Sequence, residues 1–375
     1  MIKIGILGGG QLARMSSYQA TRMGFEVIIL EKKANSPAGQ VSQKEFTGWV
    51  DNPEVLEKFV KSCDVITLEN EFIDYKYLEK IEEMGVPVYP SSRTISLIQD
   101  KLVQKNTFAN SNLPVPKFIE VSEGVTFDNI QAELGSRFVL KSRTMGYDGY
   151  GNALVTDELS FQAGLEKLSG RGSALMAEEF VPFLKELAVM VVRTEQEIKC
   201  YPVIETIQKD HICHTVIAPA KVNESVSKNV MDIAVHAVES VEGIGIFGVE
   251  LFLLESGEVL INEMAPRPHN SGHYTIEACI TSQFENHIRA VCNLPLGSVD
   301  MVKPVAVMVN LLGGRTGDGV PSNYNSALND PDVKLHIYGK SDSRPGRKMG
   351  HITMLGDNSE KIFERLTDIE NIIDI

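Results

Sequence analysis

Short apolar runs separated by helix-length amphipathic segments organise the first hundred residues. Strands are predicted at Lys3–Leu7, 26–30 and Val65–Leu68, with helices starting at about Gln11 and after Asp51. Strands joined through helices cannot fold back as hairpins, so they pair in parallel. Asp51-Asn52-Pro53-Glu54 reads as a helix start, with a capping aspartate and a glutamate three residues on. Residues 1–98 are therefore expected to form an α/β, Rossmann-like domain around a parallel sheet.

The pattern changes near Asp100. A helix begins there, and the chain leaves it through Leu113-Pro114-Val115-Pro116, a linker expected to lead into a small mobile lid over about 114–186. Strands at 137–141, 175–181 and 187–193 precede a long helix at 227–242 and a strand pair around residue 250. From about 296 the chain reads as a smaller β-rich tail, with strands at 304–312, 335–338 and 351–355. This gives an α+β central domain over 99–295 and a C-terminal domain over 296–375. No internal repeat or low-complexity tract interrupts the pattern.

Polar residues break the apolar pattern most informatively in the strand pair near 250. The runs 247–254 and 259–264 flank Glu255-Ser256-Gly257-Glu258, a turn signal. If Glu255 faces Glu258, counting outward along both strands brings Glu250 opposite Glu263. Their Cβ atoms would stand roughly 4.5–5.5 Å apart, where like charges destabilise a sheet unless something compensates. One reading leaves both glutamates on a solvated face. However, alternation places Gly248, Phe252 and Leu254 beside Glu250, and such a mostly apolar face calls for a cation. Mg2+, which takes oxygen ligands and often combines carboxylates with phosphate oxygens, suits the pair.

Composition narrows the function classes. The chain has 375 residues and is 43% hydrophobic, enough for two or three cores. Its 36 basic and 50 acidic residues leave a net charge of −14, which argues against binding nucleic acid or an anionic membrane. An anionic substrate must therefore meet a local basic cluster. The opening residues already read as a strand entering a glycine turn, so no secretory leader is expected. No apolar run approaches the ~18 residues of a membrane span. Cys63, Cys200, Cys213, Cys279 and Cys292 are scattered, without C-x-x-C spacing, which suits a reducing, cytoplasmic setting.

Two glycine-rich segments carry candidate chemistry. Gly8-Gly9-Gly10-Gln11-Leu12-Ala13 fits the dinucleotide pattern G-x-G-x-x-A, with Glu31 closing the second strand about twenty residues later. The same turn at a helix N-terminus serves any phosphate. The second segment follows strand 138–141: Lys141 is succeeded by Gly146-Tyr147-Asp148-Gly149-Tyr150-Gly151-Asn152. A lysine at a strand end with a loop of backbone N–H groups can cradle phosphate oxygens, although a plain hairpin tip has the same composition. No Gly-Lys-Ser/Thr follows, so it is not a Walker A loop. His211-Ile212-Cys213-His214 is not expected to hold a metal, because alternation splits its ligands between two faces.

Lys141, the glycine loop, 178–181, Glu186, Glu250 and Asn262-Glu263 together resemble the ATP-grasp superfamily, in which two α+β subdomains close on Mg-ATP. Within it, the chain resembles the N5-carboxyaminoimidazole ribonucleotide synthetases of purine biosynthesis. The motifs concerned are 8–12, Thr67-Leu68-Glu69-Asn70-Glu71, 146–149, 262–273, and Tyr338-Gly339-Lys340 with 344–351. The resemblance runs from residue 1 to about 356.

The resemblance implies roles for individual residues. Arg93 and Lys141 would contact ATP, Gly146, Tyr147, Asp148, Gly149, Tyr150, Gly151 and Asn152 would close over its phosphates, and Glu178, Glu179, Phe180 and Val181 would hold the adenine. Glu186 would take the ribose, and His211 and Asn262 would complete the nucleotide site. Glu250 and Glu263 would bind Mg2+, with Mn2+ a substitute. The family's loop usually carries a basic residue where this chain has Tyr150. Gly10 and Gln11, with Lys340 and Arg347, would hold the phosphate of aminoimidazole ribonucleotide. Asp148 would orient its amine, Arg267 the carboxyphosphate, and Glu71, Asn270, Ser271 and His273 would line the shared cleft. Bicarbonate is the implied second substrate, Lys141, Asp148 and Arg267 the catalytic residues, and a homodimer the implied assembly.

Three rivals are weighed against this reading. A formate-dependent ATP-grasp transformylase of glycinamide ribonucleotide would share the nucleotide site and differ in its substrate motifs. An NAD-dependent dehydrogenase rests on the first thirty residues alone and leaves the opposed glutamates unexplained. A nucleotide-binding regulator would bind ATP without turnover.

Overall fold

The apolar runs of the first hundred residues pair as a parallel sheet. A computed structural model of the chain describes residues 1–146, 151–169 and 174–375. Strands β1 (Lys3–Leu7), β2 (Glu26–Glu31), β3 (Lys44–Thr47) and β4 (Val65–Leu68) lie in the order β3-β2-β1-β4. The register sets Ile4 beside both Val27 and Val65, so β1 is covered on both edges. Helix α1 (Gln11–Arg22) lends Ala13 and Ala20 to the core on one face. Helices α2 (Pro53–Val60), α3 (Tyr75–Glu83) and α4 (Ser92–Ile98) supply Leu56, Phe59, Leu78, Ile81 and Ile95 to the other.

The cap of α2 differs from expectation by one residue. Asn52, not Asp51, accepts the Val55 amide at 3.2 Å. Pro53 explains the shift, because proline lacks an N–H and favours the first helical position, which makes the residue before it the cap.

The lid is a second sheet of antiparallel strands, β5 (Phe118–Val121), β6 (Phe138–Ser142), β7 (Asn152–Val155) and β8 (Leu175–Glu179), in the order β5-β8-β6-β7. Phe127, Phe138 and Phe161 cluster with centroids 5.8–6.2 Å apart, giving the lid its own small core.

The rest of the chain is built on one nine-stranded sheet. Its path runs β14 (Val259–Ala265), β13 (Gly245–Leu254), β9 (Phe183–Arg193), β11 (Ile204–Lys209), β12 (Ile212–Ala218), β15 (Val305–Leu312), β17 (Lys348–Gly356) and β16 (Lys334–Ile337), with β10 (Ile198–Cys200) beside β9. Helix α5 (Lys101–Asn110) and helix Glu224–Ser240 pack over the β9-β13-β14 end, burying Val189, Phe247, Ile261 and Met264. The β-rich tail continues this sheet, because β12 pairs β15 through Thr215↔Val309 and Ala218↔Ala306. Helix Ser359–Glu370 then closes a local core of Val307, Ile352 and Leu366.

Candidate active site

Glu250 and Glu263 face each other across β13 and β14, as the turn count anticipated, but by a different route. Leu254 N donates to Glu258 O at 2.9 Å, and Leu253, Phe252 and Leu251 pair with Val259, Leu260 and Ile261. The turn register is thus one residue away from the Glu255/Glu258 facing. A bulge at Asn262 then adds the missing residue. Without it, Glu250 would oppose Asn262 and Glu263 would point into the core. With it, Asn262 and Glu263 both turn to the cleft, while Ile261 and Met264 stay buried beneath.

Helix α5 supports this distorted edge. Gln104 donates to Met264 O at 2.9 Å and accepts from Met264 N at 3.0 Å, while Lys105 Nζ donates to Ile261 O at 2.9 Å. Asp100 caps the helix, accepting from the Leu102 and Val103 amides at 2.9 and 3.3 Å. Its carboxylate also receives Arg143 Nη2 at 2.8 Å, which fastens the helix start to the residue that follows β6.

Above the bulge lies a buried charge cluster. Glu178, 2% exposed, takes Lys141 Nζ at 2.6 Å on Oε1 and Lys105 Nζ at 2.8 Å on Oε2. Burial alone would push this carboxyl up, but the two ammonium groups hold it below the usual carboxylate range. Burial draws the Lys105 ammonium down to about 8. Lys141 also reaches Asn262 Oδ1 at 3.3 Å, linking lid strand β6 to the carboxylate pair. Lys101, four residues before Lys105, pairs with Glu263, and burial brings it down to about 8 as well.

The opposite wall comes from the segment after β14. Arg267 meets Glu71 through Nε at 2.5 Å and Nη2 at 3.2 Å. His269 Nε2 stands 3.4 Å from Glu250 Oε1, and its Nδ1 lies 2.7 Å from Ser271 Oγ. Burial and the nearby Arg267 charge keep its imidazole neutral, well below the usual histidine range. A Cβ on Gly248 would lie 2.6 Å from His269 Cβ, so only glycine lets the ring settle against β13. Asn270 exchanges amide hydrogen bonds with Asn310 at 2.9 and 2.7 Å. His273 is fully buried behind this wall, with Gln283 Nε2 3.2 Å from its Nδ1.

The remaining sequence candidates are distributed around this centre. Gly8 has φ +102°, and the Gly9 amide donates to Glu31 at 2.8 Å. A Cβ on Gly10 would meet Glu69 Oε1 at 2.3 Å, and Gln11 opens α1. Gln40 Nε2 donates to Gly339 O at 3.1 Å, which brings the tail loop against the first domain. In that loop Lys340 Nζ donates to Lys348 O at 2.6 Å, and Arg347 pairs with Asp342. Glu186 accepts from Gln208 at 2.8 Å, and burial raises its carboxyl. Glu179 accepts the Lys117 amide at 2.8 Å, the Phe180 ring lies 4.0 Å from the Arg137 guanidinium, and Val181 is buried. Gly146 and Gly151 are packed closely enough that a Cβ on Gly151 would lie 2.7 Å from Gly146 Cα, and Asn152 opens β7. Tyr147, Asp148, Gly149 and Tyr150 lie outside the described residues.

Arg93 and His211 have no hydrogen bond or ion pair to the cluster among the described residues. Arg93 pairs with Glu242 at 3.1 Å on the surface, and His211 sits at φ +64° in the exposed turn between β11 and β12. Glu277, His336 and His351 form a further group of potential ligands. The His336 and His351 rings are stacked at 8°, so their in-plane lone pairs do not converge on one ion. Lys101, Gln104, Lys105 and His269 were not singled out from the sequence. The available signal was the i, i+4 lysine pair on a helix that buries Leu102 and Phe108.

A lysine-bearing antiparallel lid facing a carboxylate-bearing strand pair defines an ATP-grasp enzyme, and residues 106–284 match the ATP-grasp domain. Residues 1–99 match the ribonucleotide synthetase preATP-grasp domain and residues 306–365 the phosphoribosylaminoimidazole carboxylase C-terminal domain. The phosphoribosylaminoimidazole carboxylase of Ogataea methanolica is 43% identical over 98% of this chain and 69% of its own length. The N5-carboxyaminoimidazole ribonucleotide synthase of Synechococcus elongatus is 39% identical over 94% of this chain and 89% of its own. The crystal structure of N5-carboxyaminoimidazole synthase from Aspergillus clavatus, in complex with ADP and 5-aminoimidazole ribonucleotide, superposes with a TM-score of 0.90. It is 36% identical and covers 99% of this chain and 98% of that one. The chain belongs to the N5-carboxyaminoimidazole ribonucleotide synthetase family.

Proposed function

We propose that this protein carboxylates 5-aminoimidazole ribonucleotide, converting it with ATP and bicarbonate to N5-carboxyaminoimidazole ribonucleotide, ADP and phosphate in de novo purine (IMP) biosynthesis. The observation that carries this reading is the convergence of Lys105, Lys141 and Glu178 with Glu250, Asn262 and Glu263 at the meeting of lid and main sheet. Family membership supports the choice of substrates.

Bicarbonate is a poor electrophile until one of its oxygens attacks the γ-phosphorus and ADP leaves. The ribonucleotide amine then attacks the carboxyphosphate carbon, phosphate departs, and the amine proton is lost. Positioning and charge neutralisation dominate the first step. Lys105 and Lys141 would meet the phosphates, giving up part of their hold on Glu178. Arg267, held by two hydrogen bonds to Glu71, would orient the carboxyphosphate with its guanidinium charge. Asp148 would orient the amine, and Gly10, Gln11, Lys340 and Arg347 would hold the ribonucleotide phosphate. Residues 178–181 and Glu186 would receive adenine and ribose, with the 146–152 loop closing over the phosphates.

Two opposed carboxylates whose oxygens share one face fit a hard divalent cation, and the Lys101 ammonium on Glu263 marks the same place as favourable for positive charge. Mg2+, or Mn2+ in its place, would be held by Glu250 and Glu263 and would neutralise phosphate charge. A homodimer follows from the family resemblance. Five free cysteines support a reducing, cytoplasmic setting.

ADP release measured with Mg-ATP, omitting bicarbonate and the ribonucleotide in turn, tests the proposal. Full turnover should require both, with product formed in step with ADP. ADP release that ignores the ribonucleotide but responds to formate or another amine would reject this substrate assignment.

A further inference from the structure

Helix α5 places a cation at the carboxylate pair. The Lys101 ammonium rests on Glu263 Oε2, its side chain is mostly buried, and the Glu250 carboxylate attracts the same ammonium. Glu263 and Glu250 are paired residues of adjacent strands, so one positive charge at this point relieves the repulsion of both. Lysine brings a compact charge on a flexible stem, suited to leaving and returning. The backbone N–H of Lys101 donates to Arg143 O at 2.8 Å, and Arg143 follows lid strand β6. The residue that neutralises Glu263 therefore sits at the joint between lid and main sheet.

We propose that Lys101 is a tethered counter-cation, holding Glu263 when no metal is bound and withdrawing when a divalent ion arrives with the nucleotide. The proposal rests on the assignment of Glu250 and Glu263 as metal ligands. An ion binding the nucleotide-free protein must displace an ammonium that cannot diffuse away. Metal affinity is then low until the nucleotide phosphates add ligands and draw off the lysine. Lys101 thus acts as a positioning residue that couples metal entry to nucleotide entry.

Mn2+ titration of the full-length, nucleotide-free protein, followed by electron paramagnetic resonance, tests this. Lys101→Met should bind Mn2+ about tenfold more tightly than the wild type, the effect of removing one nearby positive charge. Lys101→Arg should track the wild type, and Glu263→Gln should abolish binding in either background. Lys101→Gln carries the same expectation and replaces the methionine variant if that one does not fold. Unchanged or weaker Mn2+ binding in the neutral variants, with binding still lost in Glu263→Gln, overturns the counter-cation and leaves the metal ligands standing. Mn2+ binding that survives Glu263→Gln overturns both.

Discussion

Glu71 and Arg267, 196 residues apart in the chain, meet as a two-point ion pair that joins the loop after β4 to the segment after β14. The contact spans the first domain and the central sheet, and it sets the plane of the guanidinium at the cleft wall. Arg267→Lys should keep the charge but lose the fork. On the proposed role, in which the fork orients carboxyphosphate, kcat should fall more than ATP affinity, and equal losses in both would reject that role.

The same pair has an acid-side consequence. Burial would raise the Glu71 carboxyl, yet Arg267 holds it below its ordinary value of 4.5. A depressed carboxylate contributes stability above the unfolded pKa and loses it as pH falls through the folded one. Glu71→Gln should cost about 2 kcal/mol at neutral pH. It should also flatten the loss of stability below about pH 4.5, measured by urea unfolding at a series of pH values.

Glu178 neutralises two buried lysines, so Glu178→Gln leaves Lys105 and Lys141 facing each other with one charge fewer between them. Unfolding free energy should drop by about 3 kcal/mol. Saturating ATP should recover part of that loss, because its phosphates replace the missing negative charge. A thermal shift with ATP no larger than that of the wild type would contradict this.

Proton loss from Lys105 would remove a charge that the proposed function places at the phosphates. With its ammonium drawn down to about 8, kcat/KM for ATP should decline as pH rises through that value. Lys105→Arg should move the decline to higher pH. A profile that stays flat beyond pH 9 in the wild type would show that phosphate binding does not depend on this proton.

Substrate discrimination is testable at the tail loop and the glycine loop. Lys340→Ala should raise KM for the ribonucleotide far more than KM for ATP, whereas equal changes would remove Lys340 from the ribonucleotide site. Asp148→Asn should abolish carboxylation while retaining ATP binding.

The opposed glutamates were legible because strand pairing is countable from a turn. The count succeeded through two offsets that cancel, since alternation alone signals neither the tighter Leu254/Glu258 register nor the bulge at Asn262. Lys101 and Lys105 were not legible, because lysines four apart on a helix read as a solvated stripe, and only the tertiary position of α5 turns them inward. The tail was read as a separate β-rich unit. Its strands do form a local core, but β15 pairs with β12 although 86 residues lie between Ala218 and Val305, a pairing that local pattern does not encode. Three of the four strands of the first domain were legible as apolar runs, whereas the edge strand β3, Lys44-Glu45-Phe46-Thr47, was not, because its sequence is mostly polar.

Asn262 is the residue by which β14 outnumbers its partner, so the cleft is written in the length of a strand as well as in its side chains. Adding a single residue between Val259 and Asn262 would retain every chemical group yet turn Glu263 inward and Met264 outward, whereas deleting one would only erase the bulge. Substitutions on that stretch dent a surface, whereas one residue more exchanges the inside for the outside.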